Sequence, residues 1–245
     1  YFHIDSFIFT HVLILACLTK ITALYTILTK VMVINLETKL IEKNLSEYAD
    51  AVDSPSGAPG GGSVASYVGS LAACLGKMYA YFSLEKKAFL ALPEEQQEQF
   101  KIANAQLIQV KNNLLKGVDQ DALAYDAVLA AYKLAKDDPQ RVGKIQEALV
   151  LASEVPLETI KNSVEGLDCL AIMIPLGNAR VVSDTAVAVT LFDSAIKSAL
   201  LNLKINLNLL TDQKILQKYQ EAYEKYSALE QNYPAKLWEE AVSRI

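Results

Sequence analysis

Apolar residues recur every three or four positions over most of the chain after residue 32, a period typical of amphipathic helices. No stretch has the alternating period of a half-buried strand. The breaks between periodic segments are short, so successive helices are expected to run antiparallel. The sequence therefore predicts an all-α bundle of long antiparallel helices. The expected helices are 35–53, 64–83, Pro93 to about Lys136, a segment from Asp138 interrupted at Pro156, 180–206, and 212–243 with a break near Pro234.

Residues 1–31 differ from the rest in being apolar and rich in β-branched residues. Their longest stretch without a charged residue, Ser6 to Thr19, has 14 residues. A membrane-spanning helix needs about 20. Because Met32 is the first methionine, we expect residues 1–31 to be an apolar extension outside the native domain, which then spans 32–245. A membrane anchor or a transient helix is the alternative.

Composition excludes several classes of protein. The net charge is −5 and no cluster of Lys and Arg is present, which argues against nucleic-acid binding. The three cysteines (Cys17, Cys74 and Cys169) form no disulfide or metal-binding pattern, which suits a reducing, cytoplasmic location. His3 and His11 are the only histidines, so a site in the body of the chain must use other groups for acid–base chemistry.

One loop stands out, at 54–63, where four of the ten glycines fall. Gly60, Gly61 and Gly62 precede Ser63 and a predicted helix. Glycines here can leave room for a ligand or allow a positive φ, and free N–H groups at a helix start favour an anionic or carbonyl-bearing ligand. The loop matches neither a Walker A motif nor GxGxxG. Ser63 acting only as a helix cap is the alternative.

A carboxylate interrupts an apolar stripe of the helix after Pro93. Asp121 lies between Val118 and Tyr125 at helical spacing, and Asp119 lies on an adjacent stripe. A carboxylate on a core-facing stripe needs a partner, and the resulting pKa shift suits acid–base catalysis. A solvent-facing turn or a buried structural pair would explain the pattern equally well.

Polar residues also interrupt the helix over 180–206. Asp184 and Asn202 share one face but are separated by about 27 Å along the axis, so they cannot both contact one reacting atom. Asn202 has a structural alternative, a buried amide that caps a neighbouring backbone group.

Four stretches together resemble the formimidoyltetrahydrofolate cyclodeaminase and methenyltetrahydrofolate cyclohydrolase family. The resemblance covers roughly residues 40–232 and implies a homodimeric helical fold, a folate substrate, and no metal or redox cofactor. The stretches are Ala58–Ala65, Val118–Val128, Ser153–Thr159, and Val182–Ala188 with Asn202–Leu207.

The resemblance also implies roles for particular residues. The essential carboxylate belongs to the pair Asp119 and Asp121, of which Asp121 is preferred because it lies on the core stripe. Lys86 and Lys87 correspond to a basic pair for the folate's glutamate tail, although Glu85 stands where the family usually has glycine. The remaining residues expected to bind substrate are Pro59, Gly60, Gly61, Gly62, Ser63, Ser183, Asp184, Asn202 and Asn206.

The sequence leaves the reaction open between deaminase and hydrolase. It also leaves open a separate formiminotransferase partner or one-carbon cycling without histidine breakdown. A catalytically inactive helical protein of the same fold, binding folate or another protein, is the main alternative. A membrane-associated regulator that uses residues 1–31 is a second.

Overall fold

The computed structural model describes residues 39–245, so the prediction about residues 1–31 lies outside the described residues. Residues 40–42 form a short 3₁₀ helix, and 43–245 form a separate compact unit. Every regular element in this unit is helical, which confirms the all-α prediction. The α-helices are α1 (Leu45–Val52), α2 (Gly61–Leu84), α3 (Lys87–Leu90), α4 (Glu94–Tyr132), α5 (Arg141–Met173), α6 (Ser183–Leu207), α7 (Gln213–Glu230) and α8 (Tyr233–Val242).

Helices α2, α4, α5 and α6 form the core of the bundle. The most extensive packing joins α4 to α5, and α2 packs against both α4 and α6. Glycines bring α2 close to its neighbours, because a Cβ at Gly76 would lie 2.8 Å from a Leu107 methyl and 3.0 Å from a Leu170 methyl. The largest fully buried side chains include Tyr79, Phe100, Leu107, Leu167 and Phe192.

Helices α2 and α6 run antiparallel. Gly61, at the start of α2, lies beside Asn202 near the end of α6, and Gly69 lies beside Ala195. At the opposite end of α2, the backbone N–H of Asn178 donates to Ser83 Oγ at 2.9 Å. The start of α2 and the end of α6 therefore share one end of the bundle.

The predicted interruption at Pro156 is wrong, because α5 continues through it. Proline lacks the N–H that would bond the carbonyl of Ala152, one turn earlier. The amide of Asn206 on α6 donates to that carbonyl at 2.6 Å instead. The side chain from α6 thus satisfies the backbone acceptor that proline leaves free, and α5 stays helical.

The C-terminal break is confirmed, since α7 ends at Glu230 and α8 begins at Tyr233 with Pro234 in its first turn. Leu237 and Ala241 of α8 are buried, and α8 packs on α6. Among the described helices, α6 alone is long and apolar enough to cross a membrane by length and composition. Half of its most apolar window is buried within the bundle.

Candidate functional site

The start of α2 is capped by a carboxylate from α4. The backbone N–H of Ser63 donates to Asp121 Oδ2 at 2.9 Å. The Ser63 hydroxyl donates to the Val118 carbonyl at 2.7 Å and lies 3.4 Å from the same carboxylate oxygen. The first N–H groups of a helix lack partners within it, and the helix dipole favours an anion there. Asp121 therefore supplies the cap that Gly60, the residue at the N-cap position, cannot supply.

Ser63 does not act as the helix cap, which is the alternative the sequence left open. It is the third residue of α2 and is fully buried. Its hydroxyl instead ties α2 to α4.

Burial raises the pKa of Asp121 above its ordinary 3.8, against the lowering effect of the two contacts from Ser63. Desolvation disfavours the charged form of a carboxyl group, whereas donated hydrogen bonds favour it. Desolvation outweighs these contacts, so Asp121 holds its proton to a higher pH than an exposed aspartate does. A carboxyl group of this kind can exchange a proton with a bound molecule.

The three consecutive glycines serve different purposes. A Cβ at Gly62 would overlap the carboxylate of Asp121, so this glycine makes room for the cap itself. Gly61 is exposed, and a Cβ there would meet the Asn202 amide at an ordinary 3.6 Å. Of the two explanations that the sequence left open for these glycines, a positive φ does not apply, since Gly57 is the one described residue with positive φ, at 80°.

The loop before α2 is held by its own side chains. Ser54 Oγ donates to the Ala51 carbonyl at 2.7 Å, and Ser56 Oγ donates to the Ala58 carbonyl at 2.6 Å. Pro59 is buried and follows a cis peptide bond. Gly57 leaves space for the hydroxyl of Tyr125 on α4.

Tyr48 on α1 is a residue that the sequence did not indicate as functional. Its ring lies 5.3 Å from that of Tyr67 on α2, centroid to centroid. Its hydroxyl is buried and has no hydrogen-bond partner among the described residues. Its pKa is raised to about 12, chiefly by burial and then by the charges of Asp121, Tyr67 and Asp119. A tyrosine at helical spacing resembles any core aromatic, so no sequence signal distinguished it.

The two predicted asparagines have different surroundings. Asn202 lies beside Gly61 and donates to the Ser198 carbonyl of its own helix at 2.8 Å. Its amide therefore borders the site. Asn206 is engaged with the Ala152 carbonyl, which gives it a structural task.

The remaining predicted residues lie at the opposite end of the bundle. Lys86 and Lys87 follow the end of α2 and are exposed, while Ser183 and Asp184 begin α6. The length of α2 places the lysines about 35 Å from Asp121. The structure of the chain brings together the glycine loop, Asp121 and Asn202, and it does not bring the lysines, Ser183 or Asp184 to them. Asp119 is half-buried near the first group and contributes to the electrostatics of Tyr48.

The chain belongs to the formiminotransferase-cyclodeaminase family, whose sequence model matches residues 44–225. This confirms the resemblance stated from the sequence. Among curated relatives, it is 30% identical to the methenyltetrahydrofolate cyclohydrolase of Methylorubrum extorquens, over 69% of this chain and 82% of that protein. It is 34% identical to the formimidoyltransferase-cyclodeaminase of Gallus gallus over 71% of this chain, but spans only 32% of that longer protein.

A solved structure shares the fold. The formiminotetrahydrofolate cyclodeaminase of Thermotoga maritima matches with a TM-score of 0.71 and 25% identity, over 82% of this chain and 95% of that one.

We predict that Gly62→Ala lowers the free energy of unfolding by about 1–3 kcal/mol, because the added methyl displaces the Asp121 cap. Gly61→Ala is the matched control, since its methyl meets only an ordinary contact, and we expect a change below about 1 kcal/mol. Urea denaturation of both variants measures this. Equal losses in the two would show that the fit around Asp121 is unimportant.

Proposed function

We propose that this protein is a folate enzyme that acts on the one-carbon bridge between N5 and N10 of tetrahydrofolate. It is either a formimidoyltetrahydrofolate cyclodeaminase or a methenyltetrahydrofolate cyclohydrolase. The observation that carries this proposal is the desolvated carboxyl group of Asp121, held at the start of α2 by Ser63. Membership of the family supports the substrate class. The proposed reactions need no redox cofactor, because neither transfers electrons, and the proposed mechanism invokes no metal.

In the deaminase reaction, N10 attacks the carbon of the protonated formimino group, which carries two hydrogens on its nitrogen and a positive charge, and a new C–N bond closes the ring. Asp121 takes the proton that N10 loses and delivers it to the departing nitrogen. The bond from carbon to that nitrogen then breaks, and ammonia leaves with the methenyl cation as product. One carboxyl group serves both proton transfers, provided that its pKa lies close enough to that of its partners.

In the hydrolase reaction, water adds to the cationic methenyl carbon. Asp121 takes a proton from this water, and the ionised carboxylate stabilises the cation before the attack. The C–N5 bond then breaks as the carboxyl group returns that proton to N5, and the remaining hydroxyl proton is released to solvent, which leaves a formyl group on N10. The same residue therefore fits either direction of chemistry at the bridge carbon.

Other side chains at this end of the bundle position the substrate. The Tyr48 hydroxyl has no partner among residues 39–245, so we assign it a hydrogen bond to the substrate. The exposed face of Gly61 gives a flat ring room against the amide of Asn202. Asp119, whose charge acts on Tyr48, adds negative charge that favours a cationic bridge carbon.

The biological unit that we propose is a cytoplasmic homodimer. The formimino group would come from a separate formiminotransferase if the reaction is the deaminase. If it is the hydrolase, no such partner is needed. The enzyme is accordingly a lyase in the first case and a hydrolase in the second.

Absorbance of the methenyl chromophore distinguishes these activities. With 5-formiminotetrahydrofolate, a deaminase produces a rise in absorbance. With 5,10-methenyltetrahydrofolate, a hydrolase accelerates its fall over the uncatalysed rate. Folate binding by calorimetry without either change would indicate an inactive family member, and no binding would contradict the proposed function.

We predict that Asp121→Asn lowers kcat by about 10²–10⁴, because the amide cannot exchange protons. The free energy of unfolding at neutral pH should be unchanged or higher. Because the pKa of Asp121 is higher in the folded protein than in the unfolded chain, ionisation of this aspartate lowers the free energy of unfolding as pH rises through that pKa. Asparagine does not ionise, so the variant avoids this loss. Its amide oxygen can still accept the hydrogen bond from the Ser63 backbone N–H. Stopped assays and urea denaturation measure the two effects.

The control for this variant is Asp126→Asn, which removes an exposed charge from the same helix and should leave kcat unchanged. Wild-type activity should fall on an acid limb whose midpoint lies above the ordinary aspartate value of 3.8. A folded Asp121→Asn variant with wild-type kcat would refute the assignment.

We predict that Tyr48→Phe lowers kcat/KM at least about tenfold, because a hydrogen bond to the substrate is lost. The same change should raise the free energy of unfolding by about 1–3 kcal/mol, since a buried hydroxyl without a partner is removed. Tyr67→Phe, the neighbouring ring, is the control. A Tyr48→Phe variant that loses stability and keeps its kcat/KM would assign the hydroxyl a structural role.

A further inference from the structure

One stretch of the family resemblance, Ser153–Thr159 on α5, supplies none of the residues assigned to the site above. Five of its seven residues are buried, and Pro156 stands within the helix. Two side chains from other helices bond to this part of α5, one from α2 and one from α6. The segment from Ala152 to Thr159, which we call the α5 anchor, is therefore joined to both helices that border the site.

The link to α2 is a hydrogen bond between two buried hydroxyl groups. Thr159 Oγ1 lies 2.6 Å from Ser66 Oγ, and the two residues are 3% and 0% exposed. The Thr159 hydroxyl donates its one proton to the Val155 carbonyl at 3.2 Å, so Ser66 is the donor between the two hydroxyls. Gly117 on α4 packs against this bond, since a Cβ there would lie 2.6 Å from Ser66 Oγ. Three helices thus meet at the link.

Ser66 lies in the part of α2 that holds the carboxyl group of Asp121. It follows Ser63 by three residues, which is close to one helical turn. The Ser63 backbone N–H donates to Asp121 Oδ2 at 2.9 Å. Because the two serines belong to the same turn of α2, the bond from Thr159 to Ser66 also restrains the contact between Ser63 and Asp121.

The link to α6 depends on Pro156. Because proline has no N–H, the Ala152 carbonyl receives no donor from α5 at this position and accepts from Asn206 Nδ2 at 2.6 Å. Asn206 follows Asn202 by four residues, so the two amides lie on the same side of α6. Asn202 is the residue that lies beside Gly61 at the site. The proline thus provides an acceptor through which α5 restrains the end of α6 that borders the site.

The two links lie close together along α5. Ala152 and Thr159 are seven residues apart, about 10 Å along the helix axis. Among residues 39–245, no hydrogen bond or ion pair joins α2 directly to α6. These two helices meet through close packing of small residues, since a Cβ at Gly69 would lie 3.4 Å from that of Ala195. The polar contacts that relate one wall of the site to the other therefore pass through the α5 anchor.

We propose that the α5 anchor fixes the width of the site by holding the start of α2 and the end of α6 at a set distance. Thr159 and Asn206 are positioning residues, which act through Asp121 and Asn202 and do not contact the substrate. Pro156 serves the same end, because it removes the donor that would otherwise occupy the carbonyl one turn earlier. The effect on the substrate rests on the proposed function, whereas the anchoring of the two helices does not.

The link to α6 is tested by a double-mutant cycle that needs no activity. Asn206→Ala leaves the Ala152 carbonyl without a donor, so it should raise the equilibrium constant of unfolding at least about fivefold. In a Pro156→Ala background, the new N–H at position 156 bonds that carbonyl within α5, and Asn206→Ala should raise the constant less than about twofold. Urea denaturation of the four chains measures this. An equal effect of Asn206→Ala in both backgrounds overturns the link.

The link to α2 is tested with variants of Thr159 that remove or keep its hydroxyl. Thr159→Val has nearly the same shape but leaves Ser66 without its partner. We expect Thr159→Val to raise the Kd for 5-formyltetrahydrofolate, measured by calorimetry, at least about tenfold. Thr159→Ser keeps the hydroxyl and should stay within about threefold of wild type.

The matched control for Thr159→Val is Ser153→Ala on the same helix. Ser153 is fully buried, and among the described residues its hydroxyl bonds only the Leu149 carbonyl of α5, at 2.8 Å. Ser153→Ala should therefore lose stability and keep the wild-type Kd. A Thr159→Val variant with wild-type affinity, or a Ser153→Ala variant that loses as much affinity, overturns the positioning role.

Amide hydrogen exchange tests the same link without a ligand, because it measures the local opening of helix ends. In Thr159→Val, the amides of residues 63–67 should exchange at least about tenfold faster than in wild type, and the amides in the middle of α2 should change less. Ser153→Ala should show no such excess at the start of α2. A uniform change along α2 in Thr159→Val would assign the bond to global stability alone and overturn the anchor.

Failure of this proposal and failure of the proposed function give different results. If the wild type neither turns over nor binds a folate, the proposed function fails, while the mutant cycle and hydrogen exchange still decide whether the α5 anchor holds the two helices. If the wild type is active and these tests fail, the function stands and the anchor does not.

Discussion

The hydrogen bond from the Ser63 backbone to Asp121 is the interaction on which the site depends. It joins the start of α2 to the last third of α4, and it places a carboxylate where the helix dipole favours negative charge. The geometry requires Gly62, because a Cβ at this position would occupy the volume of the carboxylate. The motif of glycines and the aspartate motif, 58 residues apart in sequence, are thus two halves of one contact.

The balance between burial and hydrogen bonding sets the chemistry of this contact. A fully solvated aspartate would be ionised and unsuited to giving a proton at neutral pH, and a carboxylate with many donors would be a weak base. Asp121 has one short bond from a backbone N–H and a longer contact from a hydroxyl, in surroundings that otherwise desolvate it. The Tyr48 hydroxyl, which has no partner among the described residues and whose pKa is raised in part by the charge of Asp121, adds a neutral donor.

Much of this could be predicted from the sequence because the periodic pattern and the helix starts are local features. Asp121 was identified from its place on an apolar stripe, and Leu107, Leu114 and Val118 of that stripe are buried. Pro156 misled the prediction, since the Asn206 amide that replaces the missing donor comes from a helix 50 residues further along. The functions of Gly62 and Tyr48 depend on tertiary neighbours, which no local pattern encodes. Spacing on one helix predicted correctly that Asp184 and Asn202 lie too far apart to share a reacting atom.

The most direct test of this account is the pKa of the Asp121 carboxyl group, measured by ¹³C NMR titration with Asp121→Asn to assign the resonance. The account predicts a midpoint above 3.8 in the free protein, because desolvation outweighs the contacts from Ser63. It also predicts that the resonance shifts when a folate is added, since the carboxyl group then contacts the ligand. A midpoint at or below 3.8, together with a resonance that does not respond to folate, would contradict it.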